Sequence, residues 1–243
     1  MTTISETYNI DCLEYMRVIQ DKWFDLAIVD PPYGISAPLM PNGAGSKDHP
    51  KGSSASKCRF SGAGKLKDRA IQTLNTEWDK YPPTQEYFTE LFRVSKNQVI
   101  FGSNYFPLPP TRCIGVWDKV QPWPNFSAFE LIWTSFDYPS FIIRIRNARG
   151  ACGSNKIHPC QKPIELYANI IAKFAKDGDK IFDSHMGSQS SRIAAYKMGF
   201  DYWGCEIDGE YFKTGEVRFQ RECMGTVTLG NGMKVIQNQL FEV

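Results

Sequence analysis

The chain has 243 residues and a formal net charge of +2, which suits one large α/β domain with a sizeable core and excludes a uniformly basic, purely electrostatic binder. No window approaches eighteen apolar residues and the N-terminus has no basic start followed by an apolar stretch, so a soluble, unexported, cytoplasmic protein is expected. Seven cysteines, odd in number and without a Cys-x-x-Cys pair, read as reduced thiols, and no metal is expected.

In chain order, Asp11 is placed to cap a short helix through Gln20, and residues 25–29 form a compact apolar run that reads as a buried strand. Asp30 and two prolines stop it, because proline donates no ladder bond and biases its predecessor toward extended backbone. From 36 to 73 the composition shifts to Gly, Ser, Ala, Lys and Pro without apolar periodicity, which predicts a flexible insertion. It is basic: Lys47, Lys51, Lys57, Arg59, Lys65, Lys67 and Arg69 face only Asp48 and Asp68, a local net of +5 that leaves −3 for the rest.

A helix is predicted over 84–95 from Tyr87, Phe88, Leu91 and Phe92, then a strand over 98–101 running into Gly102-Ser103-Asn104. Further strands are predicted at 114–117, 129–133 and 141–145. Pro163 opens an amphipathic helix with Ile164, Tyr167, Ile171 and Phe174 on one face and Gly178 as its stop. A strand at 180–182, a helix at 191–198, a strand at 202–206 and a helix at 209–223 follow. This alternation implies a parallel, doubly wound sheet that binds ligands beyond the carboxyl ends of its strands.

Three constellations sit at such ends or just before a helix. In Asp30-Pro31-Pro32-Tyr33-Gly34, a carboxylate and a prolyl carbonyl offer two acceptors to an exocyclic base amine. That amine is a poor nucleophile until its protons are drawn out of the ring plane, and Tyr33 would stack on a base swung out of the duplex. An ordinary Pro-Pro turn with a surface tyrosine is the plain alternative. In the stretch from Asp183 to Ser191 a small-residue turn opens a helix, where backbone N–H groups and the helix dipole receive an anionic group. Glu206 closes the next strand, where a carboxylate can accept ribose hydroxyls, so the two describe a nucleoside pocket; a simple helix cap is the competing reading. In His158-Pro159-Cys160-Gln161-Lys162-Pro163, Lys162 is placed to balance a ligand carboxylate, against an exposed lysine and a structural histidine.

Asp-Pro-Pro-Tyr, His-Pro-x-Gln-Lys-Pro, and Asp-x-x-x-Gly-Ser followed one strand later by Gly-x-Glu resemble the amino-methyltransferases of DNA, especially the group whose catalytic motif precedes the cofactor motif. The likeness extends to Asp11-Cys12-Leu13-Glu14, Asn104-Tyr105-Phe106 and Trp117-Asp118-Lys119, and is nearest to small phage and bacterial adenine-specific enzymes. It implies a Rossmann-like, S-adenosylmethionine-dependent fold, mostly parallel with an antiparallel edge strand. It also implies methylation of adenine N6 in double-stranded DNA by base flipping, as in restriction–modification. Asp30, Pro31, Pro32 and Tyr33 would hold and activate the base. Asp30, His158, Asp183, His185, Gly187, Ser188, Ser190 and Glu206 would surround the donor, with Lys162 near its methionine carboxylate and Asp11 and Cys12 near its adenine. An aspartate heading the motif resembles the adenine subgroup, whereas serine there is usual in cytosine-N4 enzymes.

Relatives usually carry Phe at His185, Gly at Gln189 and Thr or Ser at Cys160. Gln189, at a position suited to glycine, is expected to cost about 1 kcal/mol or to obstruct the donor. The whole chain is expected to be one methyltransferase domain, with a target-recognition region over 119–156. There Arg144, Arg146, Arg149, Asn147 and Asn155 are candidates for reading DNA, and Trp123, Phe126 and Trp133 are wedges or core. The basic segment would contact phosphates or remain a solvated loop. A cytosine-N4 enzyme, an RNA or protein-amide methyltransferase and an inactive DNA-binding subunit are the rivals, and a homodimer stays open.

Overall fold

A computed structural model describes residues 3–35, 79–120, 127–146, 157–158, 160–228 and 234–236. Eight strands form one sheet: β1 (Ser5–Tyr8), β2 (Phe24–Val29), β3 (Ser95–Phe101), β4 (Ile114–Asp118), β5 (Phe129–Thr134), β6 (Phe141–Arg144), β7 (Lys180–Asp183) and β8 (Asp201–Cys205). Their order is β1-β8-β7-β2-β3-β5-β4-β6, and a separate hairpin joins β9 (Thr226–Thr228) to β10 (Lys234–Ile236). Every pairing in the large sheet is parallel except the two made by β5. The antiparallel strand is thus interior, between β3 and β4, and not the edge strand that the resemblance implied.

The central strands are buried on both faces, which is why they read as continuous apolar runs. With the period of two that a strand imposes, Leu26, Ile28, Val99, Phe101, Ile181 and Tyr202 join one core. Ala27, Val29, Ile100, Phe182 and Trp203 join the other. Helices α3 (Ile164–Phe174) and α4 (Ser190–Lys197) supply Leu166, Tyr167, Ile170, Ile171 and Ala194 to the first core. The second is covered by α1 (Cys12–Val18) and α2 (Gln85–Val94), through Met16, Tyr87, Phe88, Leu91 and Val94. At about 1.5–3 kcal/mol per buried large apolar side chain, these helix faces hold the layers together. Among the described residues the last long helix is α5 (Gly209–Met224), N-capped by Asp208.

Local chemistry sets the boundaries. Asp11 Oδ1 accepts from the N–H groups of Leu13 and Glu14 at 2.7 and 3.3 Å, capping α1 as expected. That helix stops at Val18, short of Gln20. The second helix ends at Val94 because Ser95 is already extended (φ −120°), with its hydroxyl donating to Leu91 O at 2.5 Å. β1 was not anticipated, since Ser-Glu-Thr-Tyr carries no apolar alternation; it is held by parallel pairing to β8.

Candidate active site

The strand order reverses between β2 and β7. The chain leaves β2 through α2 toward one side of the sheet and leaves β7 through α4 toward the other, which opens a crevice beyond their carboxyl ends. A cavity of about 770 Å3 lies there, within the roughly 300–1,000 Å3 typical of small-molecule sites. Because β2 ends at Val29 and β7 at Asp183, two motifs some 150 residues apart meet at one edge.

The turn after β2 contributes Asp30, Pro31, Pro32 and Tyr33 to the cavity wall. Asp79 holds this turn in shape, its Oδ1 accepting from the N–H groups of Tyr33 at 2.7 Å and Gly34 at 3.0 Å. Gly34 has φ +72°, and a Cβ there would stand 2.5 Å from Pro82 Cδ, so the last motif position requires glycine. The Tyr33 hydroxyl donates to Asp30 Oδ1 at 2.7 Å. Its ring stacks on Tyr105, with centroids 4.8 Å apart and planes 13° apart, and lies so close over Gly102 that a Cβ there would sit 2.2 Å from the ring. Tyr105 is therefore the outer, 41 % exposed ring of a two-ring stack at the cavity.

A chain of alternating charges runs inward from this turn. Lys162 ion-pairs with Asp30 Oδ2 and stands 3.3 Å from Glu130 Oε2, and Lys119 pairs with Glu130 Oε1 at 2.6 Å. Burial pushes the Asp30 carboxyl above the usual aspartate range, with Lys162 opposing and Glu130 reinforcing the rise. For Glu130 the same burial is outweighed by Lys162 and Lys119, which hold its carboxyl below the ordinary range. Burial also works against the Lys162 charge, but Asp30 and Glu130 outweigh it and keep the ammonium protonated well beyond an ordinary lysine. Lys162, read from the sequence as a counterion for a ligand carboxylate, thus has two protein carboxylates as its partners here.

The turn after β7 is built differently from the first. Asp183 does not line the cavity: it accepts from the His185 N–H at 3.0 Å and the Ser191 hydroxyl at 2.5 Å, and burial raises its carboxyl to about 7. Ser190 also lies behind the wall, where its hydroxyl donates to Lys162 O at 2.8 Å and so fixes the backbone of that lysine. His185, Gly187, Ser188, Glu206, Asp11, Cys12 and His158 do line the cavity. Glu206 Oε2 accepts from the Gly187 N–H at 2.8 Å and Oε1 from the Asp208 N–H at 2.9 Å; burial raises its carboxyl. His185 Nδ1 is hydrogen-bonded to Ser184 Oγ at 2.8 Å, and burial lowers the imidazole to about 4, so the ring is neutral near pH 7. Burial pushes the Cys12 thiol up to about 12, leaving it uncharged. His158 packs edge-on to Tyr211 at 4.4 Å and near Gly187.

Gln189 has φ +60°, the left-handed backbone expected of glycine. Its side chain is nevertheless fully buried and turned away from the cavity. Nε2 donates to Glu216 Oε1 at 3.0 Å, Oε1 accepts from Arg192 at 2.8 Å, and the side chain seats on Gly215. Gln189 ties α4 to α5 and does not obstruct the site.

Of the DNA-reading candidates, Arg144 and Arg146 are exposed at the β6 end, with Arg144 Nε 3.4 Å from Asp118. Trp133 is core: its indole donates to Pro109 O at 2.7 Å and packs on Phe92. Lys47, Lys51, Lys57, Arg59, Lys65, Lys67, Arg69, Trp123, Phe126, Asn147, Arg149 and Asn155 lie outside the described residues. Among the described residues no group of His, Cys, Asp and Glu is arranged to hold a metal, and no helix is long and apolar enough to cross a membrane. Sequence reasoning missed Asp79 and Glu130 as residues of the site. Single polar residues inside apolar or irregular stretches carry no periodic signal.

An α/β sheet of this order, with its cavity at the switch point, is the fold of the S-adenosylmethionine-dependent methyltransferases. The chain belongs to the N6/N4 DNA methylase family, whose model matches residues 65–217. Among curated proteins it is 22% identical to the type II methyltransferase M2.MboI of Moraxella bovis, over 87% of this chain and 86% of that one. It is 24% identical to M.HinfI of Haemophilus influenzae, over 86% and 67%. Among solved structures, the PvuII DNA methyltransferase, described as cytosine-N4-specific, matches with a TM-score of 0.56 and 15% identity over 90% of this chain and 87% of its own. M1.HpyAVI in complex with SAM matches with a TM-score of 0.53 and 18% identity over 90% and 100%.

Proposed function

We propose that this chain is a site-specific DNA methyltransferase that moves a methyl group from S-adenosylmethionine to the N6 amine of an adenine swung out of double-stranded DNA. One juxtaposition carries the proposal: the Asp30 carboxylate and the Gly187–Glu206 wall open into the same cavity. That cavity fits the donor's chemistry. Asp11, Asp30, Asp79, Glu130 and Glu206 line it against Lys119 and Lys162, an excess of carboxylates that favours a cationic sulfonium. Each Glu206 oxygen receives one backbone N–H and keeps a lone pair for a ribose hydroxyl. Asp11 and Cys12 would lie at the donor's adenine, with His158, His185 and Ser188 along its length, while Asp183 and Ser190 hold the wall from behind.

When bound, S-adenosylmethionine supplies an electrophilic methyl carbon. The residues of the chain do the rest. Asp30 and the Pro31 carbonyl accept hydrogen bonds from the two amine N–H groups and turn the nitrogen lone pair out of the ring, Asp30 takes the one proton that the methylated amine sheds, and Pro32 adds no competing N–H. Pro32 supports the base, and acceptors aimed at the developing ammonium charge lower the barrier. Tyr33 holds Asp30 through its hydroxyl with its ring seated on Gly102 and covered by Tyr105, so that it would meet the base only with Tyr105 displaced. The aspartate at the head of the motif supports adenine over cytosine N4. The basic 46–69 segment with Arg144, Arg146 and Arg149 would contact DNA, within a single methyltransferase domain acting in the cytoplasm.

Nucleoside analysis of DNA from a host expressing the protein should reveal N6-methyladenine. N4-methylcytosine in its place would reassign the target. Neither base, with no saturable heat on titrating the donor, would make the chain an inactive DNA-binding subunit. Asp30→Ala should abolish methylation while changing donor affinity by less than about threefold; retained turnover would refute its role.

A further inference from the structure

Lys162 is held between two carboxylates that are not equivalent. Asp30 belongs to the catalytic turn, whereas Glu130 comes from β5, the strand that runs against all its neighbours. That reversal matters physically. A parallel strand brings its last residues to the ligand edge, but β5 brings its first, because Phe129 is paired with Asp118 at the end of β4 and Ile132 with Phe101 at the end of β3. Glu130 therefore points into the cavity beside Lys162, and Lys119 just after β4 neutralises its other oxygen at 2.6 Å.

The cluster is costly as mere scaffolding. The side chains of Lys162, Lys119 and Glu130 are 5%, 11% and 19% exposed, beside the Trp117 and Phe101 rings. Each charge taken from water costs several kcal/mol, and well-packed apolar residues commonly replace such pairs without loss. A lysine paired with Asp30 alone would also neutralise the very acceptor that the amine needs. A second carboxylate 3.3 Å from the same ammonium divides that attraction.

Resting on the function proposed above, we infer that Glu130 is a positioning residue: it competes with Asp30 for the Lys162 ammonium and so leaves the Asp30 carboxylate able to accept a hydrogen bond from the target amine. Two observations agree with it. Tyr33 and Lys162 occupy one site on each Asp30 oxygen, and an ionised carboxylate offers about four. Glu130 is also the firmer anion of the two, because two lysines hold its carboxyl down while that of Asp30 is raised.

The test replaces Glu130 by Gln, which keeps the shape and removes the charge. The Asp30 titration is followed in the protein alone by carboxyl 13C resonances, assigned with Asp30→Asn. Besides Lys162 and Glu130, Asp30 is faced by the phenols of Tyr33, Tyr87 and Tyr167 and the Cys160 thiol, which stay protonated through the acid range. Asp183 is the other neighbour, and it is common to both proteins. In Glu130→Gln the Asp30 midpoint should move to lower pH, since a like charge is gone and Lys162 closes fully on Asp30. The acid limb of the methylation pH profile should move the same way, the plateau rate should fall about tenfold or more, and donor affinity should change by less than about twofold. An Asp30 midpoint that does not move, or an undiminished plateau, overturns the proposal. Glu130→Asp, which keeps the charge on a shorter arm, should lie between the two and stands in if the Gln variant does not fold; a wild-type profile for it overturns the proposal equally. If the wild type methylates no DNA, the functional reading fails, while the Asp30 titration still decides whether Glu130 governs Lys162.

Discussion

Asp183 is almost fully buried and is met by one hydroxyl and one backbone N–H, which is too little to offset its lost hydration. Its carboxyl is accordingly raised to about 7, against about 3.9 in an unfolded chain. The folded state binds this proton more tightly, so the resulting stability is fully present below about pH 4 and is lost as pH rises through about 7. His185, lowered to about 4, acts in the opposite sense and costs stability as pH falls from about 6.5 toward 4. Asp183→Asn keeps the shape without the titration. Thermal melts across pH should show that the variant loses stability steadily with acid, where the wild type is buffered by a few kcal/mol from Asp183. Identical pH slopes would mean that burial does not tune this carboxyl.

The corner after β3 shows how an element, more than a residue, shapes the site. Gly102 caps a short 3-10 turn, Ser103–Tyr105, at φ +69° and lets the Tyr33 ring lie directly on the backbone. Gly102→Ala meets both a left-handed backbone and a ring at 2.2 Å. The loss expected in denaturant melts is about 1–3 kcal/mol, with methylation reduced at least about tenfold, because Tyr33 carries the bond to Asp30. Wild-type activity in that variant would show that the Tyr33 stack is dispensable. At Gln189 the balance goes the other way. The left-handed backbone costs about 1 kcal/mol, and two hydrogen bonds at the α4–α5 contact, each contributing about 1 kcal/mol, offset it. The strain was legible in the sequence, but the direction of the side chain was not.

For the molecule as a whole, charge is divided between a basic 46–69 segment and a site rich in carboxylates. If that segment meets the phosphate backbone, DNA affinity falls linearly on a log–log plot against salt, with a slope of about −0.9 per neutralised phosphate. Replacing its seven Lys and Arg by Ser should make that slope shallower by several units and weaken binding at low salt, measured by fluorescence anisotropy. An unaltered slope would assign DNA contact to other surfaces.

The alternation of strands and helices, the caps at Asp11 and Pro163, and the Asp30 and Glu206 motifs could be read directly along the chain. Each rests on local rules: apolar periodicity, proline's missing N–H, and side chains that bond their own backbone. Only the tertiary structure decided that β5 runs antiparallel inside the sheet, that Lys162 faces Asp30 and Glu130, that Asp183 and Ser190 stand behind the wall, and that Tyr105 covers Tyr33. Those outcomes depend on pairing energies between residues tens to more than a hundred positions apart, and no periodicity within a segment encodes the partner that a buried charge or ring will find.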